Sequence, residues 1–422
     1  MSKKNLEISP IDAQVNDVVP PQSRPVPIVF CALIYILCTL VSVAPLLYLA
    51  GKTFLLSLPT NAFLLWWGNW LPSNLHLAST YRASMITTNM IEFLVLMALA
   101  FVVYGLGALF ILRQQERGSY KQVMRVIVLG TIVIGMIYML TPAMLSRDIF
   151  VYAGYGRIIA AHHANPYFVT PSAFPHDPIT PYDDWQYATS AYGPLWLFIC
   201  TGWSLLIGTS PVEYVLVYRL FNLAVHLVNI LLVAAILKKF GRPPRTVALG
   251  SLLYAWNPLV LMETCLGGHN DTFLLTLILL GIFLSIRAEQ RLFALPSDYL
   301  PPIIAFTLAA LVKFTAAPII AFYIVLLAYR TLHPVLITSS STQYMRALKR
   351  NQFLMKTITS IVASGLVALI FYAPFWIRHS IHDIIRSFST PPSSYFSEHS
   401  ILRAIYNWVQ DHGMPAHSSW TY

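Results

Sequence analysis

The chain has 422 residues, 57% of them hydrophobic and only 10% charged, whereas soluble domains run at about a quarter charged. Several apolar runs reach the roughly 20 residues a helix needs to cross a bilayer, which excludes a soluble globular enzyme. The net charge of +10 is spread in small clusters between those runs, a topology signal that argues against a nucleic-acid-binding face.

Residues 1–26 are polar and proline-containing, with no small-residue cleavage site after the first apolar run, and read as a disordered cytosolic tail before an uncleaved helix. Hydropathy places spans at 27–50, 84–112, 126–145, 214–237, 246–266, 272–286, 301–330 and 357–377. Basic clusters lie between them: Arg113, Arg117, Lys121 and Arg125; Lys238, Lys239, Arg242 and Arg245; Arg330, Arg346, Lys349, Arg350 and Lys356. With Lys3, Lys4, Arg24, Arg287 and Arg291 these put 18 of the 27 Lys and Arg on one side, and the positive-inside rule makes that side the cytoplasm.

That rule settles two ambiguous stretches. If 193–209 and 214–237 both crossed, Lys238 to Arg245 would face outward, so 193–209 is expected to lie in the interface as a juxtamembrane helix. The 301–330 stretch has basic segments on both sides and reads as a hairpin of two short helices with Lys313 near its outer tip; one long tilted helix with a snorkelling lysine is the alternative. The expected fold is therefore an all-α polytopic membrane bundle of about 9–10 spans. Residues 27–377 form one membrane domain, 146–212 a large extracytoplasmic loop, and 378–422 an extracytoplasmic tail, minimal or truncated. The four cysteines, Cys31, Cys38, Cys200 and Cys265, lie in apolar segments as small hydrophobes, with no disulfide or metal spacing.

The candidate chemistry gathers outside. Ser146-Arg147-Asp148 follows an apolar run directly, and a carboxylate leaving the bilayer is costly unless it faces water, a ligand or a partner. Asp148, Tyr152, Tyr155 and Arg157 recur at helical spacing, which puts several polar groups on one face. Pairing of Asp148 with Arg147 is the plainer reading. Arg157 fits a phosphate as a bidentate fork, or a headgroup. Asn165-Pro166-Tyr167 and Tyr192-Gly193-Pro194-Leu195 read locally as turns. Between them, Asp183, Asp184 and Trp185 suit a sugar or simply a solvated acidic loop.

A second cluster comprises Trp256-Asn257-Pro258 and Gly267-Gly268-His269-Asn270-Asp271. Capping of the next helix explains Asn270 or Asp271 and leaves His269 unexplained. A hard divalent ion held by His269, Asp271 and Asp148 is conceivable, although the spacing is no zinc signature. Glu92, Arg219 and Glu263 fall inside spans, and a Glu263–Arg219 ion pair is the modest expectation. After the last span, Arg378, His379, His382, Asp383 and Arg386 read as substrate ligands or an interfacial amphipathic stretch.

A loop Asp with a nearby Arg, then Asn-Pro-Tyr, Tyr-Gly-Pro-Leu and Gly-His-Asn-Asp, resembles the GT-C glycosyltransferases across roughly residues 126–377. Within them the pattern is similar to the polyprenyl-phosphate-mannose-dependent α-mannosyltransferases of bacterial envelopes, including glycosyltransferase family 87. The resemblance implies transfer of one sugar, most simply mannose, from a polyprenyl-phosphate carrier to an envelope glycan or glycolipid, with inversion, at the extracytoplasmic face of the plasma membrane. It makes Asp148 the general base, and Arg157, Lys313 and His269 the cations for the leaving phosphate. Arg147, Tyr152, Asn165, Tyr167, Tyr192, Asn270 and Asp271 become further substrate contacts, and no cofactor is implied. Two features depart from the pattern: relatives commonly continue with further spans or an outer domain, and two spans here precede the one leading to Asp148. A transporter or flippase is the principal alternative, but it would favour internal repeats and a midplane site.

Overall fold

A computed structural model describes residues 26–49, 83–113, 120–141, 146–337, 343–377 and 379–389. The tail before residue 26, the 51–82 segment, Arg378 and the stretch after residue 389 lie outside the described residues. Among the described residues the chain is helical and has no strand. Among these same residues six helices are long and apolar enough to cross a membrane, as an integral membrane protein requires.

In chain order, α1 (Val26–Leu49), α2 (Ala83–Arg113) and α3 (Tyr120–Leu140) pack together. The loop that follows carries α4 (Asp148–Ala160) and α5 (Pro194–Ile207), which pack on each other. Next come α6 (Pro211–Lys239), α7 (Pro244–Ala255), the short α8 (Pro258–Met262) and a π-helical turn, Glu263–Gly267. Then α9 (Asp271–Gln290), α10 (Pro296–Ala310), α11 (Ala317–Ile337), α12 (Gln343–Trp376) and a short α13 (Ile381–Ser389) complete the order.

Outward faces of the long helices carry Phe30, Leu37, Val95, Leu129, Leu231, Phe322, Val325 and Ile370, all exposed. In water such surface would be costly; against acyl chains it is matched. The four cysteines are buried and free.

Two expectations meet the structure at this level. The 301–330 stretch is a hairpin: α10 ends at Ala310, α11 begins at Ala317, and Lys313 lies in extended backbone between them. The 246–266 stretch, expected as one span, is broken. Pro258 biases Asn257 away from helical geometry (φ −61°, ψ 116°), and the Asn257 side chain accepts from the amides of Leu259 and Val260 to restart the chain as α8. Trp256 at the break is buried and donates through Nε1 to the Ile127 carbonyl, so this motif serves packing rather than the site.

Candidate active site

The polar cluster forms where α4, the π turn, the start of α9 and the α10–α11 hairpin meet. Asp148 opens α4, where the unpaired amides of the first turn favour negative charge. Ser146 Oγ accepts from its amide at 3.2 Å. Its carboxylate oxygen Oδ2 lies 3.1 Å from Nδ1 of His269. On the other side of the imidazole, Nε2 lies 3.0 Å from Oε2 of Glu263. One ring thus bridges two carboxylates.

Burial pulls the Asp148 carboxyl upward, yet the hydrogen bond and charge of His269, with smaller contributions from Ser146 and Lys313, outweigh it and hold Asp148 below its ordinary range. Burial likewise works against the imidazolium, and the two carboxylates overcome it, raising His269 to about 9. At neutral pH the cluster therefore holds an ionised Asp148 beside a cationic His269.

Local sequence explains how His269 arrives there. Gly268 adopts the left-handed conformation (φ 68°), and a Cβ on it would come within 2.6 Å of Ile149 on α4. The turn is held from α6 as well. Arg219 donates from Nε to the Leu266 carbonyl at 2.8 Å and from Nη1 to the Met139 and Thr141 carbonyls. Asn222 donates to the Gly268 carbonyl at 2.9 Å, and Asn229 to the Thr272 carbonyl at 3.1 Å. Glu263 therefore pairs with His269, not with Arg219 as expected, because the π turn points its carboxylate toward the imidazole.

Asn270 precedes α9 but makes no side-chain cap, so capping does not account for it. It is fully buried, and its Oδ1 accepts from the Tyr152 hydroxyl at 3.4 Å. Tyr152 meets Tyr192 edge-on, with ring centroids 5.2 Å apart. Asp271 and Lys313 form an exposed pair at 2.9 Å. Lys313 is held in place by the Tyr-Gly-Pro-Leu motif: the Gly193 amide donates to the Val312 carbonyl and the Leu195 amide to the Leu311 carbonyl, each at 3.0 Å. A Cβ on Gly193 would sit 2.1 Å from the Leu311 oxygen, so only glycine permits this approach.

The structure thus brings together Asp148, Tyr152, Tyr192, His269, Asn270, Asp271 and Lys313. Arg147 stands at the edge, paired to Asp184 at 2.9 Å instead of to Asp148. Arg157 is elsewhere: nine residues beyond Asp148, about 13 Å along the helix, it is buried and clasps both Asp177 oxygens at 2.8 Å while also donating to the Gly208 carbonyl. Its fork is filled by protein. Asn165 donates to the Phe375 carbonyl at 2.6 Å, and Tyr167 to the Tyr192 carbonyl at 2.9 Å, so Asn-Pro-Tyr braces the loop against α12.

The sequence singled out Glu263 and Arg219 as ionisable residues inside spans, but not Glu263 as the second carboxylate on His269, nor Asn222 and Asn229 as support beside Arg219. Arg219, Asn222, His226 and Asn229 recur at intervals of three and four inside an apolar span, and that buried stripe was the available signal. Among the described residues no three His, Cys, Asp or Glu side chains converge in a way that could hold a metal ion.

Fold and site together define an integral membrane protein with a polar, carboxylate-bearing site where the loop helices meet the ends of its spans. The chain belongs to the alpha-(1->6)-mannopyranosyltransferase N-terminal domain family (MptA_B family), which matches residues 59–329. It is 30% identical over 222 residues to a probable alpha-(1->6)-mannopyranosyltransferase of Mycolicibacterium smegmatis, covering 51% of this chain and 36% of that protein. With an alpha-(1->6)-mannopyranosyltransferase of Mycobacterium tuberculosis it shares 29% identity over 154 residues, 35% of this chain and 25% of the relative. The aligned region therefore spans about a third or less of these relatives' length. No solved structure matches.

Proposed function

We propose that this protein transfers a mannosyl residue from a polyprenyl-phosphate carrier to a glycan or glycolipid acceptor, at the extracytoplasmic face of a bacterial plasma membrane. The observation that carries the reading is the Asp148 carboxylate, 3.1 Å from Nδ1 of His269 and in the same cluster as the Lys313 ammonium. A displacement at an anomeric carbon needs a base for the incoming hydroxyl and a cation for the outgoing phosphate, and these two residues supply them.

In this mechanism Asp148 takes the proton of an acceptor hydroxyl while that oxygen attacks C1 of the mannose. The bond from C1 to the phosphate oxygen breaks, polyprenyl phosphate leaves as a stable anion, and the anomeric configuration inverts. Lys313 receives the phosphate, which takes over from Asp271 as its counterion. Both ring nitrogens of His269 are engaged by carboxylates, so it acts on Asp148 and not as a phosphate donor. Arg157, locked on Asp177, anchors the loop. The scheme needs no cofactor.

The test is transfer from synthetic short-chain polyprenyl-phosphomannose by purified protein in nanodiscs, with and without a chelator. Asp148→Asn keeps a hydrogen-bonding partner for His269 and loses the base, so transfer should fall by about 10²–10⁴-fold. Transfer that survives the substitution would move the base to another carboxylate, Asp271 or Glu263. No transfer by the unaltered protein, with a chelator or without, would defeat the reading.

A further inference from the structure

The loop segment 183–187 is built more rigidly than a solvated acidic loop requires. Asp183 is buried, and its Oδ1 accepts from the Trp185 amide at 2.7 Å. Its other oxygen abuts Gly154 of α4, where an added Cβ would lie 2.7 Å away. The Ala188 amide donates to the Trp185 carbonyl at 2.9 Å, and the Ser172 amide to the Gln186 carbonyl at 2.8 Å. These bonds fix the backbone on both sides of the Trp185 ring.

The ring is half-buried and lies nearly parallel to Tyr192, with centroids 6.4 Å apart and planes 20° from coplanar. Tyr192 in turn packs on Tyr152, one turn along α4 from Asp148. The neighbouring Asp184 pairs with Arg147, the residue immediately before Asp148. An aromatic ring and a charge-paired carboxylate and guanidinium, both partly solvent-facing, are thus tied to the start of α4 by two independent routes.

Such a combination selects its ligand. The Arg147–Asp184 pair is neutral as a unit, and Asp184 repels a phosphate, so the shelf is not a second anion site. A pyranose presents one apolar face of C–H groups and a rim of hydroxyls that both donate and accept. The aromatic ring matches the face, and the ion pair offers an acceptor and donors to neighbouring hydroxyls.

We infer that Trp185, with Arg147 and Asp184, forms the subsite for the acceptor saccharide, stacking a pyranose ring so that its hydroxyl reaches Asp148. This rests on the mannosyl-transfer reading above and adds to it which ligand occupies this side of the cluster. Asp183, which touches no ligand in this scheme, is a positioning residue for the Trp185 backbone.

The experiment is acceptor titration with octyl α-1,6-mannobioside at saturating polyprenyl-phosphomannose, for the unaltered protein, Trp185→Ala, Trp185→Phe and Asp184→Asn. Trp185→Ala should raise the acceptor KM about tenfold, the size of one lost aromatic contact, and leave the donor KM within about twofold. Trp185→Phe should recover most of the loss. Asp184→Asn alters a solvent-facing group and gives a readout even if Trp185→Ala folds poorly; its acceptor KM should rise several-fold. An unchanged acceptor KM in these variants, or a donor KM rising in step with it, would overturn the inference. If the unaltered protein transfers nothing, saturation-transfer NMR of the mannobioside still decides. Contact signals that vanish in Trp185→Ala support the subsite while the transfer reading fails, and signals that persist refute it.

Discussion

Gly193→Ala is the sharpest perturbation of the site that leaves every polar group in place. Gly193 has φ −71° and ψ 160°, a conformation any residue adopts, so backbone strain plays no part. The obstacle is contact: the new methyl would lie 2.1 Å from the Leu311 oxygen and 2.4 Å from its carbonyl carbon. Carbon atoms pack at about 3.5–4.0 Å, so the start of α5 and the hairpin must part by more than about 1 Å. The two amide–carbonyl bonds, now 3.0 Å, would then exceed hydrogen-bonding distance. Losing both at about 0.5–1.5 kcal/mol each, with about 1–3 kcal/mol of overpacking, gives a destabilisation of about 2–6 kcal/mol.

Lys313 follows Val312 directly, so the same movement displaces its ammonium. A misplacement of about 1 Å can cost on the order of 10²-fold in rate. Thermal unfolding and donor-dependent transfer kinetics, measured in the same detergent, read the two effects. Gly202→Ala on the same helix is the control, because a Cβ there meets nothing within 4 Å. If Gly193→Ala unfolds with the unaltered protein and keeps kcat/KM within about threefold, Lys313 does not depend on this contact and the reasoning is wrong.

Two further outcomes follow from the ion pairs. His269 is raised from 6.5 to about 9, so its pairs stabilise the fold fully below about 6.5 and cease to do so as pH rises through about 9. Glu263→Gln removes one of the two carboxylates, so the alkaline loss of thermal stability should begin at lower pH; an unchanged profile would mean that Asp148 alone sustains the imidazolium. Asp177→Ala leaves the buried Arg157 guanidinium without its carboxylate and should cost about 3–5 kcal/mol. A donor KM that rises while unfolding stays unchanged would instead return Arg157 to a phosphate-binding role.

The carboxylate–imidazole–carboxylate arrangement also changes the task assigned to His269. From sequence it was one of three cations for a phosphate. In the structure its nitrogens are spent on Asp148 and Glu263, and Arg157 is spent on Asp177. Lys313 is the one of the three whose ammonium, although paired with Asp271, stands at an exposed edge.

The sequence by itself determined the membrane class, the hairpin carrying Lys313, a separate helix in the 193–209 stretch ahead of the next span, and helical spacing from Asp148 onward. Each of these follows from local periodicity, helix-breaking residues or the distribution of charge along the chain, which a single strand of text contains. It also marked the Gly-Gly turn, because a histidine, an amide and a carboxylate follow the two glycines between apolar runs and capping leaves His269 unexplained. Only the tertiary structure decided who meets whom. The partners Asp148 and His269, Arg157 and Asp177, Arg219 and Leu266, and Gly193 and Val312 are separated by 20 to 121 residues in the chain. Pairing at such range depends on which helix faces touch and at what height, and a polar residue carries no local mark of the partner that packing will bring to it.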